Sequence, residues 1–178
     1  GTSTLSIMGY INAMFELKAQ IDEQLLPCPD YIFLPVGTGG TLIGLLIAKV
    51  LLNLPTTIIG IAVVEKIVSH KQILKIALKK AIMSLNELCQ LKLDFSDFEK
   101  ELNVDYGFIG RGYSYPTAEG QNAIRLLSEL EDIVLDGSYT AKAMAGMLDY
   151  IKFKLDPEDH VLFWQSYHAK VDPQDGIM

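Results

Sequence analysis

Apolar residues recur along this chain in two rhythms, and the switches between them mark out its elements. Ile32, Phe33 and Leu34 form a short continuous apolar run, the mark of a strand buried on both faces. Pro35 ends the run, Gly37, Thr38, Gly39 and Gly40 make a turn of little bulk, and an apolar helix is predicted over 41–52. After Pro55, the β-branched stretch 57–64 reads as a second buried strand. Helical spacing returns over 8–26, stopping before Pro27 and Pro29, and over 69–90, where Ile73, Ala77, Ala81, Leu85 and Leu88 form the apolar stripe. Thr117 is placed to cap a helix with Ala123, Ile124, Leu127 and Leu130 on its inner face, and a last helix over 141–155 carries Met144, Met147, Leu148 and Ile151. Weaker strand patterns lie at 103–109, 133–135 and 160–164. Strands alternating with long helices predict an α/β fold: one domain over 1–178, with a mostly parallel twisted sheet, helices on both faces, and ligands at the carboxyl ends of the strands.

Composition narrows what such a body can do. The 178 residues carry a net charge of −7, without the clustered Lys and Arg that a phosphate backbone requires, so no nucleic-acid partner is expected. Lys71, Lys75 and Lys79 read as a solvated helix face. Hydrophobic residues make up 49% of the chain and the mean hydropathy is +0.24. The longest apolar run, 42–54, contains Lys49 and falls short of the roughly 20 residues that span a bilayer. No membrane partner is expected, and the apolar excess instead suits a sheet with one face uncovered. Cys28 and Cys89 lack C-x-x-C spacing, and His70, His160 and His168 lack the spacing of a metal site. A cytoplasmic location is the expectation.

The glycine turn is the strongest chemical signal. A helix beginning at a strand's carboxyl end presents unpaired N–H groups and the positive end of its dipole, and glycines let an anion approach the main chain. A phosphate would suit Gly37, Thr38, Gly39, Gly40 and Thr41, although a tight turn that binds nothing has the same spacing. Neither standard nucleotide motif fits. Leu42 breaks the dinucleotide pattern counted from Gly37, and Leu45 and Leu46 stand where the Walker motif needs lysine and a hydroxyl. Loops at 110–116, 136–140 and 165–168 also follow predicted strands, so Tyr113, Tyr139, Thr140 and Ser166 would gather at the same sheet edge.

Four segments together carry a family resemblance: Gly9-Tyr10, PVGTGGTLIGL from Pro35, GYSYPTAEG from Gly112 and YTAKAMAGMLDYI from Tyr139. In that order and spacing they resemble the D-cysteine desulfhydrase and 1-aminocyclopropane-1-carboxylate deaminase family of pyridoxal-phosphate enzymes, of the tryptophan-synthase-β-like fold type II. The resemblance implies pyridoxal 5'-phosphate as cofactor, held through main-chain N–H groups of Gly37, Thr38, Gly39, Gly40 and Thr41, and a small amino acid as substrate. It implies Tyr139 and Tyr113 as the catalytic tyrosines. Thr140 would occupy the place where the deaminase has a glutamate facing the pyridine nitrogen and the desulfhydrase a threonine, and Ser166 would offer the hydroxyl of the last strand. A hydroxyl at 140 points to β-elimination from D-cysteine or a related amino acid, with ring-opening deamination second. Where the family closes with HTGG, this chain has Gln165-Ser166-Tyr167-His168.

The family's Schiff-base lysine and its Ser-Asn substrate loop lie well before the phosphate loop, whereas only 36 residues precede Gly37 here. The resemblance therefore implies a C-terminal, cofactor-phosphate half. Such a half is expected to lack activity alone and to associate, either as a homodimer or with an N-terminal half. The alternative is a non-catalytic remnant that keeps an anion site. Lys142, three residues past Tyr139, is not the Schiff-base position of the family.

Overall fold

The computed structural model describes residues 3–166. Four parallel strands, β1 (Tyr31–Val36), β2 (Thr57–Ala62), β3 (Val104–Asp105) and β4 (Val161–Phe163), lie in the order β3-β2-β1-β4. The helices are α1 (Thr4–Asp22), α2 (Gly40–Leu51), α3 (Lys66–Ser69), α4 (Lys71–Cys89), α5 (Phe95–Glu99), α6 (Ala118–Glu131) and α7 (Thr140–Phe153). Successive strand side chains point to opposite faces. Ile32, Leu34, Val36 and Ile58 thus meet α1, α2 and α4, while Phe33, Ile59 and Ile61 meet α7 through Ala143. The result is the expected three-layer fold. Among the described residues the expected uncovered sheet face is not found at β1 and β2, which are buried along nearly their whole length. The apolar excess lies instead on outer helix and loop surfaces, as at Leu5, Ile67 and Leu130.

Several boundaries differ from the pattern for physical reasons. Ser3 and Ser6 form a reciprocal cap that starts α1 four residues before the predicted helix, and α1 stops at Asp22, ahead of Pro27. Pro35 does not end β1. Phe33 accepts from Trp164 N–H, so every second residue of β1 faces β4, and β4 ends opposite Phe33 at Phe163. The missing N–H of Pro35 therefore costs no ladder bond, and its carbonyl is left for another donor. Residues 133–135 form no strand: Leu135 packs with Ala123, Ala141 and Met144 in the helical layer. The strand expected over 103–109 shrinks to two residues, and the short α5 was not foreseen. On α4 the buried stripe is Leu74, Leu78, Ala81, Ile82 and Leu85, leaving Ile73 and Leu88 exposed. Thr117 caps α6 as expected, its hydroxyl accepting from Gly120 N–H at 3.0 Å.

The connections place the site. From β1 the chain leaves through α2 toward β2 on one side, whereas β4 returns through α7 to the other side of β1. Connections that part in this way open a crevice at the carboxyl end of β1. α1 closes in on α2 at Gly44, where an added Cβ would lie 2.6 Å from Tyr10 Cβ and 2.7 Å from the Ile7 carbonyl oxygen. That contact carries Ser6 and Tyr10 to the crevice.

Candidate active site

The 37–41 loop turns directly from β1 into α2. Gly39 is the residue before the helix, with φ +86° and no side-chain cap, a left-handed conformation natural to glycine. The first bond of the helix runs from Ile43 N–H to Gly39 O at 2.9 Å, so the N–H groups of Gly40, Thr41 and Leu42 lie ahead of the ladder. The first turn of α2 carries no acidic residue, leaving the positive end of its dipole uncompensated there. These groups open on a cleft of about 330 Å³ lined by Ser6, Tyr10, Pro35, Thr38, Gly39, Gly40, Thr41 and Tyr139. The volume is at the lower end of the roughly 300–1,000 Å³ typical of small-ligand sites. A phosphate fits this donor set. Among the described residues no lysine lines the cleft.

Tyr139, just before α7, lies over the loop. Its ring edge is 3.5 Å from where a Gly37 Cβ would stand, and its hydroxyl donates to Pro35 O at 3.4 Å, the carbonyl left over at the end of the ladder. Burial pushes its phenol pKa up; Ser166 and the Gly37 N–H pull it down, while Tyr10 and Tyr113 add to the rise. Tyr139 therefore keeps its proton at neutral pH. Ser166 Oγ is buried near that hydroxyl, and Tyr113 is half exposed in the 106–117 loop. Tyr139 and Ser166 thus share one neighbourhood, with Tyr139 over the 37–41 loop, and Tyr113 is near enough to act electrostatically on the Tyr139 phenol. Tyr167 and His168 lie outside the described residues.

Thr140 sits differently from its neighbours in sequence. It is completely buried, donates its hydroxyl proton to Asp136 Oδ2 at 2.6 Å and accepts from Asp136 N–H at 3.0 Å. The Asp136 carboxylate also accepts from the N–H groups of Ser138, Tyr139 and Thr140 at 3.0, 2.6 and 2.8 Å. An anion bound by several main-chain donors at a helix start is a strong local clamp. It fixes the turn that aims Tyr139, and Thr140 is one of its components rather than a wall of the cleft. Ser6 and Asp136 did not stand out in sequence as parts of this site. Asp136-Gly137-Ser138 carried a turn signal that could have marked the clamp.

The profile of the family described as "Pyridoxal-phosphate dependent enzyme" matches residues 1–166. The chain belongs to this family. It is 31% identical over 163 residues to a "Putative 1-aminocyclopropane-1-carboxylate deaminase" of Thermotoga maritima, covering 92% of this chain and 48% of that protein. It is also 31% identical over 159 residues to D-cysteine desulfhydrase of Salmonella paratyphi B, covering 89% and 45%. Among solved structures, an ACC deaminase homologue superposes with TM-score 0.69 at 29% identity, covering 90% of this chain and 45% of that one. A threonine deaminase, with TM-score 0.55 and 19% identity over 88% and 54%, shares the fold. The fold is therefore that of the fold type II pyridoxal-phosphate enzymes. The chain spans about half the length of the curated relatives it matches. Among the described residues no helix is long and apolar enough to cross a membrane, and no group of His, Cys, Asp and Glu could hold a metal ion.

Proposed function

We propose that this chain supplies the phosphate-binding and tyrosine-bearing half of an amino-acid lyase or deaminase site that uses pyridoxal 5'-phosphate. The observation that carries the reading is the placement of the Tyr139 phenol over Gly37, in the same cleft as the leading N–H groups of α2. Gly37, Thr38, Gly39, Gly40 and Thr41 would hold the cofactor phosphate. When bound, pyridoxal phosphate supplies an electron sink for the substrate's α-carbon. The chain's own residues bind, orient and handle protons. Tyr139 keeps its proton on Oη and so would have a proton to give to a leaving group. Tyr113 would face the same region from the opposite loop, and Ser166 would border it.

The preferred reaction is β-elimination from D-cysteine or a similar small amino acid, releasing a 2-oxo acid, ammonia and sulfide. One relative is named D-cysteine desulfhydrase, which supports it. Ring-opening deamination is the second choice. The chain alone is proposed to be inactive, because among the described residues no lysine lines the cleft and the nearest in sequence, Lys142, gives its amine to main-chain carbonyls. Association with an N-terminal half would complete the site, and association with that half or with a second copy would cover exposed apolar residues such as Leu5 and Ile67.

The test is to titrate the chain with pyridoxal phosphate, reduce with borohydride, map modified lysines by mass spectrometry and assay pyruvate and 2-oxobutanoate. Saturable binding that Gly39→Val abolishes, with no single labelled lysine and no turnover, is expected. One stoichiometrically labelled lysine together with turnover would overturn the half-site reading. Binding indifferent to Gly39→Val would overturn the phosphate assignment and leave a remnant without this site.

A further inference from the structure

The first turn of α7 holds a charged group that the reading above does not use. Lys142 is fully buried between Ala141 and Ala143. Its Nζ donates to Ile109 O at 2.9 Å, Gly112 O at 2.5 Å and Tyr113 O at 3.4 Å. An ammonium has three protons to give, and all three go to one loop. Burial lowers its pKa, opposed by the nearby Glu65 and Asp136 carboxylates. Across the same peptide, Tyr113 N–H donates to Glu65 Oε1 at 3.3 Å. That oxygen would stand 2.8 Å from a Gly112 Cβ, so the loop passes with almost no clearance. Tyr113 is thus gripped at its carbonyl by α7 and at its N–H by the exit of β2.

Lys142 and Tyr139 are three residues apart, on one helical turn, and that turn is already locked by Asp136. The body that lays Tyr139 over Gly37 is therefore the body that holds the Tyr113 loop. We propose that Lys142 is a positioning residue, whose buried ammonium fixes the Tyr113 loop and sets the placement of Tyr113 relative to Tyr139 across the cleft. The role of this placement in cofactor binding rests on the function proposed above; the clamp itself does not. A buried cation left with fewer acceptors pays heavily, so the loop is bound to the lysine as firmly as the lysine to the loop.

The test compares wild type, Lys142→Met and Lys142→Arg. Trypsin cleavage after Arg111, inside the held segment, reports on the clamp directly. We expect slow cleavage in wild type, cleavage about tenfold faster in Lys142→Met, and recovery toward wild type in Lys142→Arg, which keeps the charge and its donors. Inorganic phosphate should bind wild type and Lys142→Met within about twofold of one another, because the 37–41 donors are untouched, while pyridoxal phosphate binds Lys142→Met about tenfold more weakly. Equal cleavage at Arg111 in wild type and Lys142→Met would overturn the proposal. Equal loss of phosphate and pyridoxal phosphate would overturn it too, as the mark of general destabilisation. If wild type binds no pyridoxal phosphate, the proposed function fails, and the Arg111 comparison still judges the clamp. Should Lys142→Met not fold, reductive methylation of wild type decides: Lys142 must be the slowest lysine to react, and labelling as fast as at exposed Lys152 would sink the idea.

Discussion

Two loops flank the candidate site, and they are held in place by opposite means. The 37–41 loop needs only its neighbours in sequence: β1 delivers it, α2 carries it away, and glycine supplies the left-handed turn at Gly39. Its donors are main-chain N–H groups. The 109–113 loop has little structure of its own and is held by Lys142 and Glu65, which reach it from about 30 and 48 residues away. The first is a site made of backbone, which survives most side-chain changes except those at glycine. The second is a site made of charge and burial, which a single side chain can release.

That contrast fails most visibly, if it is wrong, at Gly39. Gly39→Val forces a β-branched residue to φ +86° and brings its Cβ within 2.3 Å of Leu74 Cδ2. Phosphate affinity should fall beyond detection, with about 3 kcal/mol lost from stability, measured by calorimetric titration and urea unfolding. Retained phosphate binding would mean that the anion sits elsewhere. Next, Gly44→Ala places a Cβ against the backbone of α1 and should cost about 2–3 kcal/mol in urea unfolding. Because α1 brings Ser6 and Tyr10 to the cleft, pyridoxal-phosphate affinity should weaken more than phosphate affinity.

Asp136→Ala removes the acceptor of three N–H groups and one hydroxyl and should cost about 2 kcal/mol. Phosphate affinity should hardly change, which sharpens the separation between the two regions. An equal fall in phosphate affinity would show that they act as one.

The smallest effect is one of pH. The Tyr150 phenol is pushed up to about 12 from an ordinary 10, first by burial and then by donating to Asp105, at 3.0 Å. The folded chain therefore holds this proton more tightly than the unfolded chain. The resulting stability is complete below about pH 10 and is lost as pH rises through about 12. In Tyr150→Phe, the alkaline decline in unfolding midpoint should be shallower than in wild type. An identical decline would show that the Tyr150–Asp105 bond does not tie β3 to α7.

The sequence by itself determined the features that depend on local chemistry. Ile32-Phe33-Leu34 followed by glycines can hardly be anything but a buried strand entering a tight turn, and the family's four motifs named the cofactor before any geometry was known. Thr117 announced its helix for the same reason, since capping is settled within one turn. What tertiary structure decided were matters of position across the sheet. Residues 133–135 carried a strand's composition, yet Leu135 packs into the α6–α7 layer instead. Pro35 looked like a terminator until the short β4 left its side of the ladder without a partner. Thr140 read as a cofactor contact and Lys142 only as a lysine outside the Schiff-base position, because sequence shows neither which way a helix turns its first residues nor what charges it meets. Burial settled both: a hydroxyl and an ammonium removed from water must find partners, and only the folded chain showed that these were Asp136 and the carbonyls beside Tyr113.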